Sequence, residues 1–135
     1  MMYLVDTNVL SEPTRKIPNQ NVIEWLTAHE RELLVDPIIL GELQFGIFSL
    51  PKSAKRTRLQ NWFDSVAATI ECVAWDRMVS RHWAELMANL RRSGHPMPLT
   101  DSMIAATARA YKLTIATRDV RDFRRVGVKA IDPFS

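Results

Sequence analysis

The sequence predicts an α/β fold, a three-layer α/β/α sandwich around a parallel central sheet of short strands. Two observations carry this. Apolar runs of three to five residues, too short for helices, recur along the chain, and the segments between them repeat their apolar residues at helical spacing over ten or more positions. Strands alternating with helices of that length build parallel βαβ units with helices on both faces.

Tyr3-Leu4-Val5 is the first expected strand. After Asn19, the residues Val22, Trp25 and Leu26 recur at helical spacing, and Leu33-Leu34-Val35 forms the second strand. Asp36-Pro37 pairs a capping carboxylate with a proline at the first helical position, opening a helix through about Leu50. Leu59, Trp62, Phe63 and Val66 follow the i, i+3, i+4, i+7 pattern of the next helix, and Ile70-Glu71-Cys72-Val73 is the third strand. Val79, Trp83, Leu86 and Leu90 mark another helix, ended by Gly94. Thr100 is expected to cap an alanine-rich helix reaching about Lys112, before strands at Leu113–Ala116 and Lys129-Ala130-Ile131.

At 135 residues, 47% hydrophobic and 24% charged, the chain is expected to be one domain spanning 1–135 with an ordinary apolar core. Its single cysteine, Cys72, excludes an intrachain disulfide and a cysteine-based zinc cluster, as expected of a cytoplasmic protein. No stretch approaches the ~18–20 apolar residues of a membrane span. The start, Met1-Met2-Tyr3-Leu4-Val5-Asp6, lacks the cationic opening of a signal peptide. The net charge of +3, with 13 of 18 basic residues being Arg, leans mildly toward anionic partners without identifying one.

Four carboxylates stand out. Asp6 follows the first strand directly, and Asp119 follows the fourth in the segment Ala116-Thr117-Arg118-Asp119. In open parallel sheets, ligand sites lie beyond the carboxyl ends of the strands. Asp101 falls in the first turn of the alanine-rich helix. Glu42 has Ile38, Ile39, Phe45 and Gly46 as its helical neighbours, so it lies on or beside a buried face, where a carboxylate needs a cation, a metal or a raised pKa. Each has an ordinary explanation on its own: Asp6 and Asp101 as caps, Asp119 as a partner of Arg118 or Arg121, Glu42 as half of an ion pair. Together they share one, a cluster of acids held by divalent cations. Oxygen-only ligands favour Mg²⁺ or Mn²⁺.

The segments around these residues resemble a known family. Asp6-Thr7-Asn8-Val9-Leu10-Ser11-Glu12-Pro13, Gly41-Glu42-Leu43-Gln44-Phe45-Gly46-Ile47, Asp101-Ser102-Met103-Ile104-Ala105-Ala106-Thr107-Ala108 and Thr117-Arg118-Asp119-Val120-Arg121-Asp122-Phe123 are similar, in order, to the four motifs of PIN-domain ribonucleases. The likeness is to the VapC/FitB-type toxins of type II toxin–antitoxin modules, and it covers essentially the whole chain, ending with Asp132-Pro133-Phe134. It implies a PIN-like fold in which Asp6, Glu42, Asp101 and Asp119 form an acidic quartet binding one or two Mg²⁺ or Mn²⁺ ions. It also implies an endoribonuclease that cleaves RNA to 5′-phosphate and 3′-hydroxyl ends. Two departures matter: Ile38, Ile39 and Leu40 stand where many relatives carry a Thr or Ser before the second-motif Glu, and the fourth acid is Asp119 where many have Asn. Asp122 competes with Asp119 for that role, and Asp119 is favoured because it is nearer the strand end.

Asp6 and Asp101 are the expected inner ligands, with Asp119 completing the shell or reaching a second ion and Glu42 ligating or orienting the attacking water. Thr7, Asn8 and Thr117 either orient these carboxylates or make ordinary turn hydrogen bonds. Arg118, Arg121, Arg124 and Arg125 are candidate phosphate contacts, while Lys52, Lys55, Arg56 and Arg58 read as a helix's exposed side. Trp25, Trp62 and Trp83 read as core or interface residues. The resemblance further implies a homodimer, a small antitoxin (VapB/FitA-like) covering the acidic groove, often through an Arg, and a DNA-bound complex of the two. The apolar residues of helices at Ile17–Leu26 and Ile38–Leu50 are the candidates for the groove and the dimer face. The alternative is a FitB-like nucleic-acid-binding or regulatory partner of a DNA-binding antitoxin, with little or no turnover. An aspartyl-phosphate phosphatase would need a second Asp at position 8, which is Asn8. With the four acids set aside, the rest of the chain carries +7, a more basic partner for a phosphate backbone than the net charge indicates.

Overall fold

The computed structural model describes residues 1–135. Strands β1 (Tyr3–Val5), β2 (Leu33–Val35), β3 (Glu71–Cys72), β4 (Thr114–Ala116) and β5 (Ala130–Ile131) form one sheet. Their order is β3-β2-β1-β4-β5, and every neighbouring pair is parallel. Helices α1 (Thr7–Leu10), α2 (Gln20–Ala28), α3 (Pro37–Phe48), α4 (Ala54–Thr69), α5 (Arg77–Ser93), α6 (Leu99–Tyr111) and α7 (Val120–Arg125) make the connections. The expected α/β architecture is the observed one. No helix is long and apolar enough to cross a membrane.

The chain winds outward from β1 through β2 to β3, then returns to β4 and β5 on the other side of β1. That reversal opens a crevice at the carboxyl ends of β1 and β4, the place where such sheets bind ligands. The central strands are apolar on both faces because helices cover both: Leu4, Val5, Val35 and Ile115 are fully buried. The outer strand β3 is two residues long and exposed, as suits a sheet edge. Ala105, Ala106 and Ala108 are buried on α6, and their small side chains let that helix pack closely against its neighbours.

Helix starts follow the capping chemistry. The side chains of Asn19, Asp36, Ser53 and Asp76 accept the N–H groups of Val22, Ile39, Arg56 and Val79. Gly94 ends α5 with φ of 71° and donates its N–H to the Leu90 carbonyl. Two expectations are corrected. Thr100 does not cap α6: the helix begins at Leu99 after Pro98, whose carbonyl accepts the Ser102 N–H, so Thr100 sits inside the first turn. Ile17 is not helical. It precedes Pro18, which disfavours helical backbone at that position, and it is 87% exposed in the turn before α2.

Trp25 and Trp62 pack against the core as expected. Trp25 also stacks on His29 at 4.5 Å and meets Tyr3 edge-on at 5.0 Å, which gives His29 a structural role.

Ile115→Ala, fully buried on β4 beside the central strand, is expected to cost about 2–5 kcal/mol, while Ile17→Ala changes stability by less than about 0.5 kcal/mol. Urea midpoints of the two variants against the parent protein measure both.

Candidate active site

Three neighbouring strands end on a polar residue at the crevice. Asp6 follows β1, Asp36 follows β2, and Thr117 follows β4 with Asp119 two residues on. Asp6 is 3% exposed. Its carboxylate accepts the Thr7 N–H at 2.8 Å and the Thr117 hydroxyl at 2.8 Å, while its backbone N–H donates to the Ala116 carbonyl at 2.9 Å. The Asn8 amide then ties the two sides of the crevice together. It donates to Asp6 Oδ2 at 3.4 Å and to Asp119 Oδ2 at 3.3 Å, and its Oδ1 accepts the Arg118 N–H at 3.1 Å. Thr117 Oγ1 accepts the Asp119 N–H at 3.0 Å. Thr7, Asn8 and Thr117 therefore do orient carboxylates.

Asp101, in the first turn of α6, and Glu42, on α3, reach the same crevice from the helices. Both are half-buried. Burial first, then the nearby charges of Asp6, Asp119 and Asp122, push the Asp101 carboxyl up to about 6. Burial, then Asp6 and Asp101, raises Glu42; the Thr100 hydroxyl acts the other way and favours the ionised form. Thr100 thus takes up a task for which the stretch Ile38-Ile39-Leu40 has no hydroxyl. Burial likewise raises Asp6 against the pull of its Thr117 and Thr7 hydrogen bonds. The four acids predicted from the sequence share one electrostatic neighbourhood. Asp119 is joined to Asp6 through Asn8 and Thr117, whereas Asp122 acts on Asp101 alone.

Asp36 was read from the sequence as a helix cap only. It is that, accepting the Ile39 N–H at 2.8 Å, but it is also 1% exposed and accepts the buried Thr107 hydroxyl at 2.6 Å. Burial pushes its pKa up and the Thr107 and Ile39 bonds pull it down. The Asp36–Thr107 bond joins the start of α3, which carries Glu42, to α6, which carries Asp101. The signal was present in the sequence: Leu33-Leu34-Val35-Asp36 repeats the strand-then-Asp pattern of Tyr3-Leu4-Val5-Asp6.

No cation compensates this cluster. The ion pairs in the structure are Met1–Glu32, Arg15–Glu12 and Arg81–Glu85, all elsewhere. The arginines around the fourth motif are largely engaged: Arg118 lies 3.7 Å over the Phe134 ring, Arg124 donates to Ala130 and Arg125 to Pro96, leaving Arg121. An all-oxygen, uncompensated donor set fits a hard divalent cation such as Mg²⁺ or Mn²⁺. No three of these groups stand close enough together to hold an ion as a ready-made cage, so the fit is one of chemistry and placement.

Residues 3–129 match the PIN domain family. The VapC ribonuclease Y4jK of Sinorhizobium fredii is 35% identical, over 98% of this chain and 98% of its own. Toxin FitB of Neisseria gonorrhoeae is 31% identical over 98% and 99%. Among solved structures, FitAB bound to an IR36 DNA fragment aligns with a TM-score of 0.90 at 28% identity, covering 99% of this chain and 96% of that one.

The folded protein holds the Asp101 proton more tightly than the unfolded chain does, so stability falls as pH rises from 3.8 to about 6. Asp101→Asn in metal-free buffer is therefore expected to melt at a higher temperature than the parent at about pH 7.5, with the gap closing near about pH 4. Thr107→Val, which strips Asp36 of its hydroxyl partner, is expected to lose about 1–3 kcal/mol in denaturant titration.

Proposed function

The chain belongs to the PIN-domain family, in its VapC/FitB branch, and from that premise we propose that it is the toxin of a type II toxin–antitoxin module. In this reading it is a Mg²⁺- or Mn²⁺-dependent endoribonuclease that hydrolyses RNA to 5′-phosphate and 3′-hydroxyl ends. The observation that carries the reading is the uncompensated carboxylate cluster at the switch point of the sheet, with Asp6 buried at its centre.

Asp6, Asp101 and Asp119 would hold the metal, with Glu42 beside them. Bound there, a divalent cation offsets the charge of the phosphodiester, acidifies water and stabilises the leaving oxygen. The protein's own residues do the rest. The Thr117 hydroxyl, the Thr7 N–H and the Asn8 amide fix the Asp6 carboxylate in one rotamer, and Asn8 aligns Asp119 with it. Glu42 accepts a proton from the attacking water. The water oxygen bonds to phosphorus, the bond from phosphorus to the 3′ oxygen breaks, and that oxygen takes a proton from solvent to leave as the 3′-hydroxyl. The buried floor of Leu4, Val5 and Ile115 beneath the crevice keeps the local dielectric low, which strengthens each of these electrostatic contacts.

The same unpaired charge accounts for inhibition by a partner. An antitoxin arginine entering the cluster would make the charge-assisted pairs that the chain itself lacks. The relative solved as FitAB on a DNA fragment supports a DNA-bound toxin–antitoxin complex for this chain too, and the family resemblance adds a homodimer to the proposal.

Purified protein incubated with RNA and Mg²⁺ or Mn²⁺ is expected to cut it, and chelation by EDTA to stop the reaction. Asp6→Ala and Asp101→Ala are expected to abolish cleavage, and Thr117→Val to slow it by about 10–100-fold. Cleavage that persists in EDTA, or in both alanine variants, rejects the mechanism. Nucleic-acid binding without cleavage in either metal moves the assignment to a regulatory binding partner.

A further inference from the structure

A cavity of about 780 Å³ lies between the turn before α2 and the start of α4, and four cations line it: Arg15, Lys16, Lys55 and Arg58. Its remaining wall includes Thr14 and Leu59, and both residues also line a second cavity, of about 320 Å³, that contains Thr7 and Glu42. Thr14 and Leu59 thus border both cavities, which places the basic pocket next to one that reaches Glu42 of the carboxylate cluster.

The cations are poorly compensated from within the chain. Lys16, Lys55 and Arg58 make no ion pair, and Arg15 has only Glu12 at 3.9 Å. Glu12 is occupied otherwise, since its carboxylate accepts the Asn19 N–H at 2.8 Å and so shapes the turn that carries Arg15 and Lys16. Lys55 and Arg56 occupy the first turn of α4, which has no acidic residue. Cations at a helix N-terminus oppose the helix dipole and cost stability. An anion in the cavity would offset that cost. Arg56 points to a different task, donating to the Leu50 carbonyl and lying over the Phe48 ring. Lys16, Lys55 and Arg58 are left without a carboxylate partner, and Arg15 has only its long contact to Glu12.

We propose that this basic cavity binds the phosphate backbone of the RNA to one side of the scissile bond, positioning the strand across the carboxylate cluster. The inference rests on the ribonuclease reading and adds to it a phosphate subsite. It separates the two jobs of the surface: acids hold the ion where the bond breaks, and the neighbouring cations hold the strand. Each phosphate contact on single-stranded RNA releases counterions, which makes the contribution of the cavity readable in salt.

The test uses the full chain and a fluorescein-labelled single-stranded RNA of about 12 nucleotides, with anisotropy measured in EDTA so that no cutting occurs. Lys55→Ala/Arg58→Ala removes two exposed cations from the cavity, and Arg91→Ala/Arg92→Ala removes the same charge from the end of α5. The cavity pair is expected to weaken binding about tenfold and to lower the salt slope by about 1.4, two contacts at roughly 0.7 each, while the α5 pair matches the parent. In Mg²⁺ the cavity pair is expected to raise KM with little change in kcat. Equal affinity and slope for the cavity pair and the parent, in a protein that cuts RNA, overturn the proposal and leave the cavity to a protein partner. Equal losses from both pairs also overturn it, since only net charge would matter. A selective loss in a protein that never cuts RNA supports the subsite and rejects the ribonuclease reading instead.

Discussion

A carboxylate removed from water loses several kcal/mol unless other groups replace its hydration, and Asp6 is 3% exposed with no cation beside it. Much of the crevice supplies that replacement. The Thr7 N–H, the Thr117 hydroxyl and the Asn8 amide come from two different strand ends, and all three donate to one carboxylate. Those donors reach it because β1 and β4 are neighbours, although 111 residues separate Asp6 from Thr117. The charge that remains unpaired after these bonds leaves the crevice acidic, with no cation of the chain beside Asp6.

The same constraint recurs one strand away. Asp36 is buried at the end of β2, and it is satisfied by one local donor, the Ile39 N–H, and one distant in sequence, the Thr107 hydroxyl. That solution also ties α3 to α6. Glu42 and Asp101 sit on these two helices, so a buried structural bond sets the spacing of two half-exposed acids. The strain of the cluster shows where bonds are scarcest. Asp101, with no hydrogen bond to its carboxylate, is pushed up to about 6 by burial and by its acidic neighbours.

Much of this was legible in the chain itself. Tyr3–Val5 and Leu33–Val35 were recognisable as strands because short β-branched and apolar runs stop at a carboxylate, and Asp36-Pro37 announced a helix start. The four acids were identifiable because each followed a strand or opened or lined a helix. What escaped was second-order. Thr100 looked like a cap because Thr favours that position, but Pro98 had already set the helix entry two residues earlier. Lys55 and Arg58 looked like a solvated helix face, since nothing in linear order joins them to Arg15 and Lys16 across an intervening strand and two helices.

The sequence by itself determined the element types, the α/β class and the identity of the acids, because these depend on local periodicity, capping and residue chemistry. Tertiary structure alone decided which groups meet. The order β3-β2-β1-β4-β5 brings Thr117 to Asp6, the packing of α3 and α6 brings Thr107 to Asp36, and the turn before α2 meets α4 to close the basic cavity. Hydrogen bonds and electrostatic coupling act over a few ångströms of space, however far apart along the chain the partners lie. The mildly basic net charge therefore resolves, only on folding, into an acidic crevice with a basic pocket beside it.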